Sequence, residues 1–280
     1  MKRLLVVDGS NLLFQMFYGM PARIINKDGK AIQGTLGFVG ALLKIIRMVK
    51  PTHIAVLFDG ACASERIEIN VDYKANRIDY SEVPQEENPF SQIDDVYRAL
   101  TYLGIKHAET TVCETDDWIA GYAHNRADDT EIMISSFDSD FFQLITDKVS
   151  VLRYRGDKTI ICNPEYIREK LGIEPCQYAD FKSLTGDTAD SIKGADKVGQ
   201  KTAAALMQEF ANLENLLANA EQIKKPSVRK SIIANTERLQ NNYRIIKLDG
   251  NVTLPFEMDE LAYIDEGITT NEVLQGIGLK

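Results

Sequence analysis

Residues 3–11 read RLLVVDGSN, a continuous apolar and β-branched run that ends at an aspartate. This pattern is typical of a strand that is buried on both faces of a parallel sheet. Residues 53–59, HIAVLFD, repeat the pattern and again end at an aspartate. Two such strands predict an α/β fold with a mainly parallel central sheet.

Along the rest of the chain, predicted strands first alternate with predicted helices, and the later part is predicted to be helical only. Further strands are predicted at 104–107, 131–135 and 149–154. Helices are predicted among them at 34–50, 92–102, 115–127 and 139–146, and then at 164–171, 176–185, 200–210, 212–220 and 226–246. We therefore expect a sheet domain over residues 1–165, a helical region over 166–250 and an extended C-terminal tail over 251–280. Residues 62–91 are polar and lack a core pattern, which favours a long functional loop.

Composition bounds the class of protein. The 280 residues are 44% hydrophobic and 26% charged, as in ordinary globular proteins. No apolar run approaches the ~20 residues of a membrane helix. The first apolar run is too short for a signal peptide, so we expect a cytoplasmic protein. The four cysteines have no CxxC spacing, which indicates neither a zinc site nor a disulfide framework.

Carboxylates follow several of the predicted strands. In parallel sheets, ligands bind beyond the carboxyl ends of the strands, where Asp8, Asp59 and Asp138 are expected. Any one of them alone is more often a helix cap. Together they predict a divalent-metal site, because Mg²⁺ prefers oxygen ligands and two ions ~4 Å apart can hydrolyse a phosphodiester. The full predicted ligand set is Asp8, Asp59, Glu114, Asp116, Asp117, Asp138, Asp140, Asp187 and Asp190.

The stretch VCETDDWIA, residues 112–120, supplies three of these carboxylates at a predicted helix start. A short acidic cluster by itself is usually a solvated face. The net charge of −9 also argues superficially against nucleic acid. Removing the nine predicted ligands leaves 41 − 9 = 32 acidic residues against 32 basic ones. The remainder is neutral, so local basic patches can still bind phosphate.

Two further motifs suit nucleic acid. In YKANR, residues 73–77, Lys74 and Arg77 are expected to hold the scissile phosphate and Tyr73 to stack on a base. The alternative is the start of a helix with exposed basic side chains. In GADKVGQKTA, residues 194–203, a glycine-containing turn precedes a helix whose N–H groups can bind phosphate without reading bases. The alternative is a plain helix connection. The candidate DNA contacts are Gly194, Lys197, Gly199, Gln200, Lys201 and Thr202.

At these residues the sequence resembles the 5′-nuclease family, which includes flap endonucleases and the 5′→3′ exonuclease domains of bacterial DNA polymerases I. The matching segments are LLVVDGSNLLF (4–14), VLFDG (56–60), DYKANR (72–77), ETDDWIA (114–120), SSFDSDFFQLI (135–145), SLTGDTADSIKG (183–194) and VGQKTAAAL (198–206). No polymerase sequence follows, so we expect a stand-alone nuclease.

The resemblance implies a PIN/Rossmann-like sheet domain with a helical arch near 62–91 and a helix–hairpin–helix region. It implies a 5′→3′ exonuclease and flap endonuclease that removes RNA primers and flaps in replication and repair. The implied cofactors are two Mg²⁺ or Mn²⁺ ions, with K⁺ at the hairpin. The implied partner is DNA with a 5′ flap, a nick or a single-stranded 5′ end, bound by a monomer.

Carried over by position, the matches divide into two metal groups. Asp8, Asp59, Glu114, Asp116 and Asp138 match the first-metal group, and Asp117, Asp140, Asp187 and Asp190 lie at or near the second. The exact split stays open, because carboxylates can bridge ions. Two positions depart from the family. Gln15 stands where Arg is usual, and Lys197 replaces a turn glycine.

Three alternatives remain at this point. Asp138-Ser139-Asp140 after a strand resembles the nucleophile motif of aspartate-dependent phosphatases, which a covalent phosphate trap would reveal. A non-catalytic DNA-junction binder would bind without turnover, but the full acidic set would weaken that binding. A PIN-type ribonuclease is usually shorter and lacks the later hairpin.

Overall fold

The computed structural model describes residues 2–60, 65–76, 78, 80, 82–125 and 127–280. Arg77, which the sequence predicts to contact phosphate, lies outside these residues. Within them, no helix is both long and apolar enough to cross a bilayer. The predicted arch near 62–91 is described in part, as a short helix Glu65–Ile69 and a 3-10 helix Pro89–Gln92. The arch itself stays a prediction.

A six-stranded sheet forms the centre of the fold. Its strands are β1 (Lys2–Asp8), β2 (His53–Phe58), β3 (Lys106–Glu109), β4 (Thr130–Ser135), β5 (Val149–Arg153) and β6 (Ile160–Cys162). They lie in the order β3-β2-β1-β4-β5-β6, and all neighbours are parallel except β5 and β6. The prediction of a mainly parallel α/β fold is confirmed. Strand β6 was not predicted, because it has only three residues and two of them are exposed.

Helices pack on both faces of this sheet, and further helices form a separate helical region. The helices of the described residues are α1 (Gly9–Gly19), α2 (Gln33–Val49), α3 (Glu65–Ile69), α4 (Ile93–Tyr102), α5 (Thr115–His124), α6 (Pro164–Leu171), α7 (Tyr178–Thr185), α8 (Gln200–Phe210), α9 (Leu213–Ala218), α10 (Pro226–Ala234), α11 (Thr236–Ile246) and α12 (Thr270–Gly276). Alternate residues of β1 point to opposite faces. Leu4 and Val6 pack with α5, α7 and α8, whereas Leu5 and Val7 pack with α1, α2 and α4.

Several predicted elements differ from the observed ones. The predicted helix 226–246 is two helices separated by Asn235, whose side chain donates to the Ser231 carbonyl across 2.7 Å and so competes with the helical backbone. The predicted helix 139–146 is a 3-10 helix, Asp140–Leu144. The third strand begins two residues late, at Lys106, because Gly104 forms a turn with φ +66°.

The C-terminal segment is not simply an extended tail. Its weak pattern hides the helix α12, which packs against α2 and α4 through buried Val273 and Leu274. Upstream of α12, Trp118 of α5 donates to the Thr253 carbonyl and Tyr122 to the Phe256 carbonyl, both across 3.0 Å. These bonds tie the segment along α5. The boundaries at 165 and 250 stay predictions.

Candidate metal and nucleic-acid site

The carboxyl ends of three neighbouring strands place aspartates in one row. Strand β1 lies between β2 and β4, so Asp8 at the end of β1, Asp59 just after β2 and Asp138 shortly after β4 lie at adjacent strand ends. With Asp116 from the first turn of α5, they line a single cleft of about 990 Å³. The structure thus brings four of the nine predicted ligands together.

Backbone and hydroxyl donors orient the first two carboxylates. Asp8 caps α1, accepting from the Asn11 N–H across 3.0 Å and from the Ser136 hydroxyl across 2.8 Å. Asp59 accepts from the Thr115 N–H across 3.4 Å, which links β2 to the start of α5. Burial, together with the nearby charge of Asp59, raises the pKa of Asp8 to about 7. The site therefore holds buried carboxylates that repel one another.

The same electrostatic pattern extends along the cleft. Burial and then the charge of Asp138 raise the pKa of Asp116 well above its usual range. Burial and the charge of Asp138 also raise the pKa of Asp140 to about 8. One carboxylate oxygen of Asp140 is buried without a hydrogen-bond partner in the described part of the chain. A cation would neutralise such a cluster and satisfy that oxygen.

After α7, Asp187 ends the two-residue strand β7 (Gly186–Asp187), and Asp190 lies in the turn between β7 and the antiparallel strand β8 (Ile192–Lys193), on the Asp140 side of the site. Asp187 forms an ion pair with Lys182 and accepts from the Ala189 N–H across 2.9 Å. Burial is the main cause that raises the pKa of Asp138 and of Asp140, the charge of Asp190 raises both further, and the charge of Asp187 adds to the shift of Asp140. The second predicted ligand group is therefore close enough to act on the first electrostatically.

The carboxylates do not form a closed metal cage as they stand. Among the described residues, no three His, Cys, Asp or Glu side chains are close enough together to hold an ion. Two of the predicted ligands are instead paired with ammonium groups, Glu114 with Lys74 and Asp187 with Lys182. The donor chemistry and the unsatisfied oxygen of Asp140 nevertheless fit a hard divalent cation, which would draw the side chains inward.

Glu114 and Asp117 bind a protein segment. One oxygen of Glu114 accepts from the Arg66 guanidinium, from the Tyr73 hydroxyl across 3.3 Å and from the Lys74 ammonium across 2.9 Å. Asp117 accepts from Arg66 across 2.7 Å and from the Asp249 N–H across 2.9 Å. These two predicted metal ligands therefore anchor residues 65–76. Arg66 was missed, because its only sequence signal is an alternating charge pattern.

Tyr73 does not fit the predicted stacking role. It is only 7% exposed and packs with Ala179, Ile192 and Ile245 of the helical region. Its ring therefore has no free face for a base. Lys74 does line the cleft, as its phosphate role requires, and its backbone has φ +57°.

The Lys74 N–H donates to the Asp190 carbonyl across 3.1 Å. The Asn76 amide donates to the Thr188 carbonyl across 3.3 Å. Residues 73–76 therefore contact the turn that begins after Asp187 and includes Asp190, so the predicted phosphate contact lies beside the second ligand group.

The second predicted DNA motif forms the connection between β8 (Ile192–Lys193) and α8. A Cβ atom at Gly194 would lie 2.4 Å from the Leu184 carbonyl oxygen, so this position requires glycine. Lys197 adopts φ +64°, the left-handed conformation that glycine usually occupies. Gly199 precedes the first turn of α8, where Gln200, Lys201 and Thr202 lie with exposed or half-buried side chains. The motif is accessible to a ligand.

Comparisons with known proteins agree with this architecture. The family description "5'-3' exonuclease, N-terminal resolvase-like domain" matches residues 3–172, and "5'-3' exonuclease, C-terminal SAM fold" matches residues 173–267. The chain belongs to the 5′-3′ exonuclease family. It is therefore a nuclease by family, and its sheet and helical regions correspond to the two parts of that family's fold.

The chain is similar to parts of longer proteins. It is 34% identical over 259 residues to a thermostable DNA polymerase I of Thermus filiformis, covering 92% of this chain and 30% of that protein. It is 35% identical over 267 residues to DNA polymerase I of Rhizobium leguminosarum, covering 92% of this chain and 26% of that protein. The chain thus spans less than a third of these relatives.

A solved structure shares the fold across the whole chain. It is the bacteriophage T5 flap endonuclease in a pseudo-enzyme-product complex with DNA and metal ions. The TM-score is 0.71 at 21% identity, and the match covers 99% of this chain and 98% of that one. At this identity the likeness supports the fold.

Proposed function

We propose that the protein is a divalent-metal-dependent 5′→3′ exonuclease and structure-specific flap endonuclease that acts on DNA. The observation that carries this proposal is the cleft in which Asp8, Asp59, Asp116 and Asp138 face Lys74. A carboxylate cluster beside a cation suits phosphodiester hydrolysis, because ions can neutralise the acids while the cation binds the scissile phosphate. Family membership supports the same reaction class.

The proposed substrate is DNA with a 5′ flap, a nick or a single-stranded 5′ end, including RNA-primed ends in replication and repair. The similar T5 enzyme was solved with DNA and metal ions, and the similar curated proteins are DNA polymerases I. We propose that the exposed turn around Lys197 and the start of α8 grip the duplex as a helix–hairpin–helix, with K⁺ bound by the turn. We also propose that the protein acts as a monomer in the cytoplasm.

We propose ligands for two Mg²⁺ or Mn²⁺ ions, and the shared cleft supports this choice. Asp8, Asp59, Asp116 and Asp138 would hold the first ion, and Asp140, Asp187 and Asp190 would hold or surround the second. Bound ions would supply charge neutralisation and water activation for in-line hydrolysis. Glu114 and Asp117 complete the proposed set, but each must first be released in part from Arg66.

The chain's own residues position the substrate. Lys74 reaches the cleft from residues 65–76 and holds the scissile phosphate by charge, and Arg77 is proposed to assist it. The Asp8 carboxylate keeps its orientation through Asn11 and Ser136 while a ligand binds. Hydrolysis then leaves a 5′-phosphate on the product.

The test is cleavage of a labelled 5′-flap DNA with and without Mg²⁺. Asp138→Asn should reduce the rate by about 100-fold or more, because it removes charge at the reacting centre. Asp129→Asn is the matched control, since Asp129 is exposed just before β4 and Asp138 follows the same strand at its other end. Equal cleavage by wild type and Asp138→Asn would reject the proposal.

One observation keeps a second candidate in view. Three of the nine predicted ligands, Glu114, Asp117 and Asp187, form ion pairs with Arg66, Lys74 or Lys182. A non-catalytic junction binder could keep this arrangement. Flap binding that EDTA does not change, with no cleavage in Mg²⁺ or Mn²⁺, would favour it. The phosphatase alternative is weaker, because Asp138 already accepts from the Asp140 N–H across 2.8 Å.

A further inference from the structure

The turn after β5 lies at the same edge of the sheet as the carboxylates. Strands β4 and β5 are parallel neighbours, with Ser135 opposite Leu152, so their carboxyl ends project in one direction. Residues 155–159 form a tight turn in which the Arg155 N–H donates to the Thr159 hydroxyl across 3.0 Å. The Lys158 N–H donates to the Arg155 carbonyl across 3.1 Å. This turn has a defined conformation next to the site.

Two contacts fix the turn against segments that carry predicted ligands. The Gln15 amide of α1 donates to the Tyr154 carbonyl across 2.6 Å, and α1 begins directly after Asp8. The Arg155 guanidinium lies over the Phe137 ring, 5.3 Å from its centroid, and Phe137 immediately precedes Asp138. The cation is therefore held above the loop that carries Asp138.

Arg155 is exposed, and it differs from the other cations at this edge. None of the ion pairs among the described residues includes Arg155. By contrast, Lys74 is paired with Glu114 and Lys182 with Asp187. The guanidinium of Arg155 is thus preorganised by an aromatic ring while its donors remain available to an external anion.

We propose that Arg155 binds a backbone phosphate of the nucleic-acid strand that passes the β5 side of the cleft. A planar guanidinium can donate two parallel hydrogen bonds to a phosphate, which fixes the strand's position without reading bases. This inference rests on the proposed function, because it assigns a contact to the same substrate. Arg155 is a substrate-binding residue here and takes no part in proton transfer.

The experiment measures binding of 5′-flap DNA by fluorescence anisotropy in EDTA over a series of salt concentrations. Arg155→Gln should weaken binding by about tenfold, the scale of one charged hydrogen bond. It should also lower the slope of log affinity against log salt by about 1, as for the loss of one phosphate contact. Arg155→Lys should keep the slope but recover only part of the affinity. In Mg²⁺, Arg155→Gln should raise the DNA concentration that gives half-maximal cleavage.

Two controls separate a direct contact from a general charge effect. Lys148→Gln removes one charge just before β5, at the opposite edge of the sheet, and should leave the slope unchanged. Lys158→Gln removes a charge in the same turn and should have a smaller effect than Arg155→Gln. An unchanged slope in Arg155→Gln, or equal losses for Arg155→Gln and Lys158→Gln, would overturn the proposal. Absence of flap binding by the wild type would instead reject the proposed function.

Discussion

The guanidinium of Arg66 donates to the carboxylate of Asp117 across 2.7 Å. This bond joins helix α3 of the segment 65–76 to helix α5, which carries the central acidic cluster. Both side chains are almost completely enclosed, with side-chain exposures of 10% and 12%. The segment that presents Lys74 to the cleft is therefore anchored by the acids that the sequence assigns to metal binding.

Loss of this anchor should destabilise the fold. Arg66→Met leaves buried Glu114 and Asp117 without their shared cation, and breaking a buried pair in this way costs about 3–5 kcal/mol. Urea unfolding in EDTA would measure the free energy of unfolding. Arg168→Met is the control, because Arg168 pairs with Glu174 at an exposed site and should leave the midpoint near that of the wild type. Equal midpoints for both variants would contradict the anchoring role.

Removal of one repelling carboxylate should stabilise the metal-free protein. Burial raises the pKa of Asp140 to about 8, so the native state binds more protons than the unfolded state between about pH 4 and pH 8. The free energy of unfolding in EDTA should therefore fall as pH rises through this window. Asp140→Asn should flatten the fall and raise the melting temperature at pH 8 while abolishing Mg²⁺-dependent cleavage.

The control for that stability experiment is Asp147→Asn, at an exposed position just before β5. It should leave both the pH profile and the cleavage rate unchanged. Addition of Mg²⁺ should raise the melting temperature of the wild type more than that of Asp140→Asn, because a bound ion stabilises only the native state. A lower melting temperature for Asp140→Asn in EDTA would show that its carboxylate is not repelled in this way.

Tyr73 should act through packing. Tyr73→Phe keeps the buried ring and loses only the 3.3 Å bond to Glu114, so stability should fall by about 1 kcal/mol or less. Tyr73→Ala should cost about 3–5 kcal/mol, because it leaves a cavity among Ala179, Ile192 and Ile245. Denaturant unfolding and flap binding would be measured together. Loss of DNA affinity in Tyr73→Ala at unchanged stability would restore the stacking role.

Two glycines of the proposed hairpin should respond differently to alanine. A Cβ atom at Gly194 would lie 2.4 Å from the Leu184 carbonyl oxygen, whereas a Cβ atom at Gly199 meets nothing within 4 Å. Gly194→Ala should therefore lower both stability and duplex-DNA affinity, and Gly199→Ala should change stability little. Thermal melting and anisotropy with duplex DNA would test this. A larger loss of stability for Gly199→Ala would contradict the described turn.

Lys197 should lower the stability of the turn through its backbone conformation and strengthen DNA binding through its positive charge. At φ +64° a non-glycine residue is strained by roughly 1 kcal/mol, so Lys197→Gly should raise the free energy of unfolding by about that amount. If the turn binds phosphate, the same change should weaken duplex binding and reduce its salt dependence. Lys193→Gln, which removes a nearby exposed charge without changing the turn, provides the comparison. Unchanged salt dependence in Lys197→Gly would remove Lys197 from the interface.

The hydrophobic pattern of the sequence was sufficient to predict the central strands and the aspartates at their ends. The apolar runs of β1 and β2 predicted a parallel sheet, and this sheet placed Asp8 and Asp59 at one edge. Short or weakly patterned elements, such as β6 and α12, carry too few periodic residues to be recognised. Pairings between distant segments, such as Arg66 with Asp117, depend on the folded chain and have no local signal.

The same limit explains why two predicted site residues make contacts that differ from those expected of their predicted roles. Tyr73 is of the residue type that stacks on bases, yet its ring is buried against the helical region. Glu114 is of the residue type that binds metal ions, yet one of its oxygens accepts hydrogen bonds from three side chains, those of Arg66, Tyr73 and Lys74. Burial and partner choice are tertiary properties, so residue type alone could not assign these roles.

The most direct test of the central claim is to measure by calorimetry how many Mn²⁺ ions bind per chain, in a buffer that contains no other divalent cation. The account predicts two ions for the wild type, one fewer for Asp187→Asn, and loss of the tighter ion for Asp138→Asn, with Asp129→Asn unchanged. Mn²⁺ binding that is absent in the wild type, or that is identical in wild type and Asp138→Asn, would contradict the assignment of this carboxylate cluster as a metal centre.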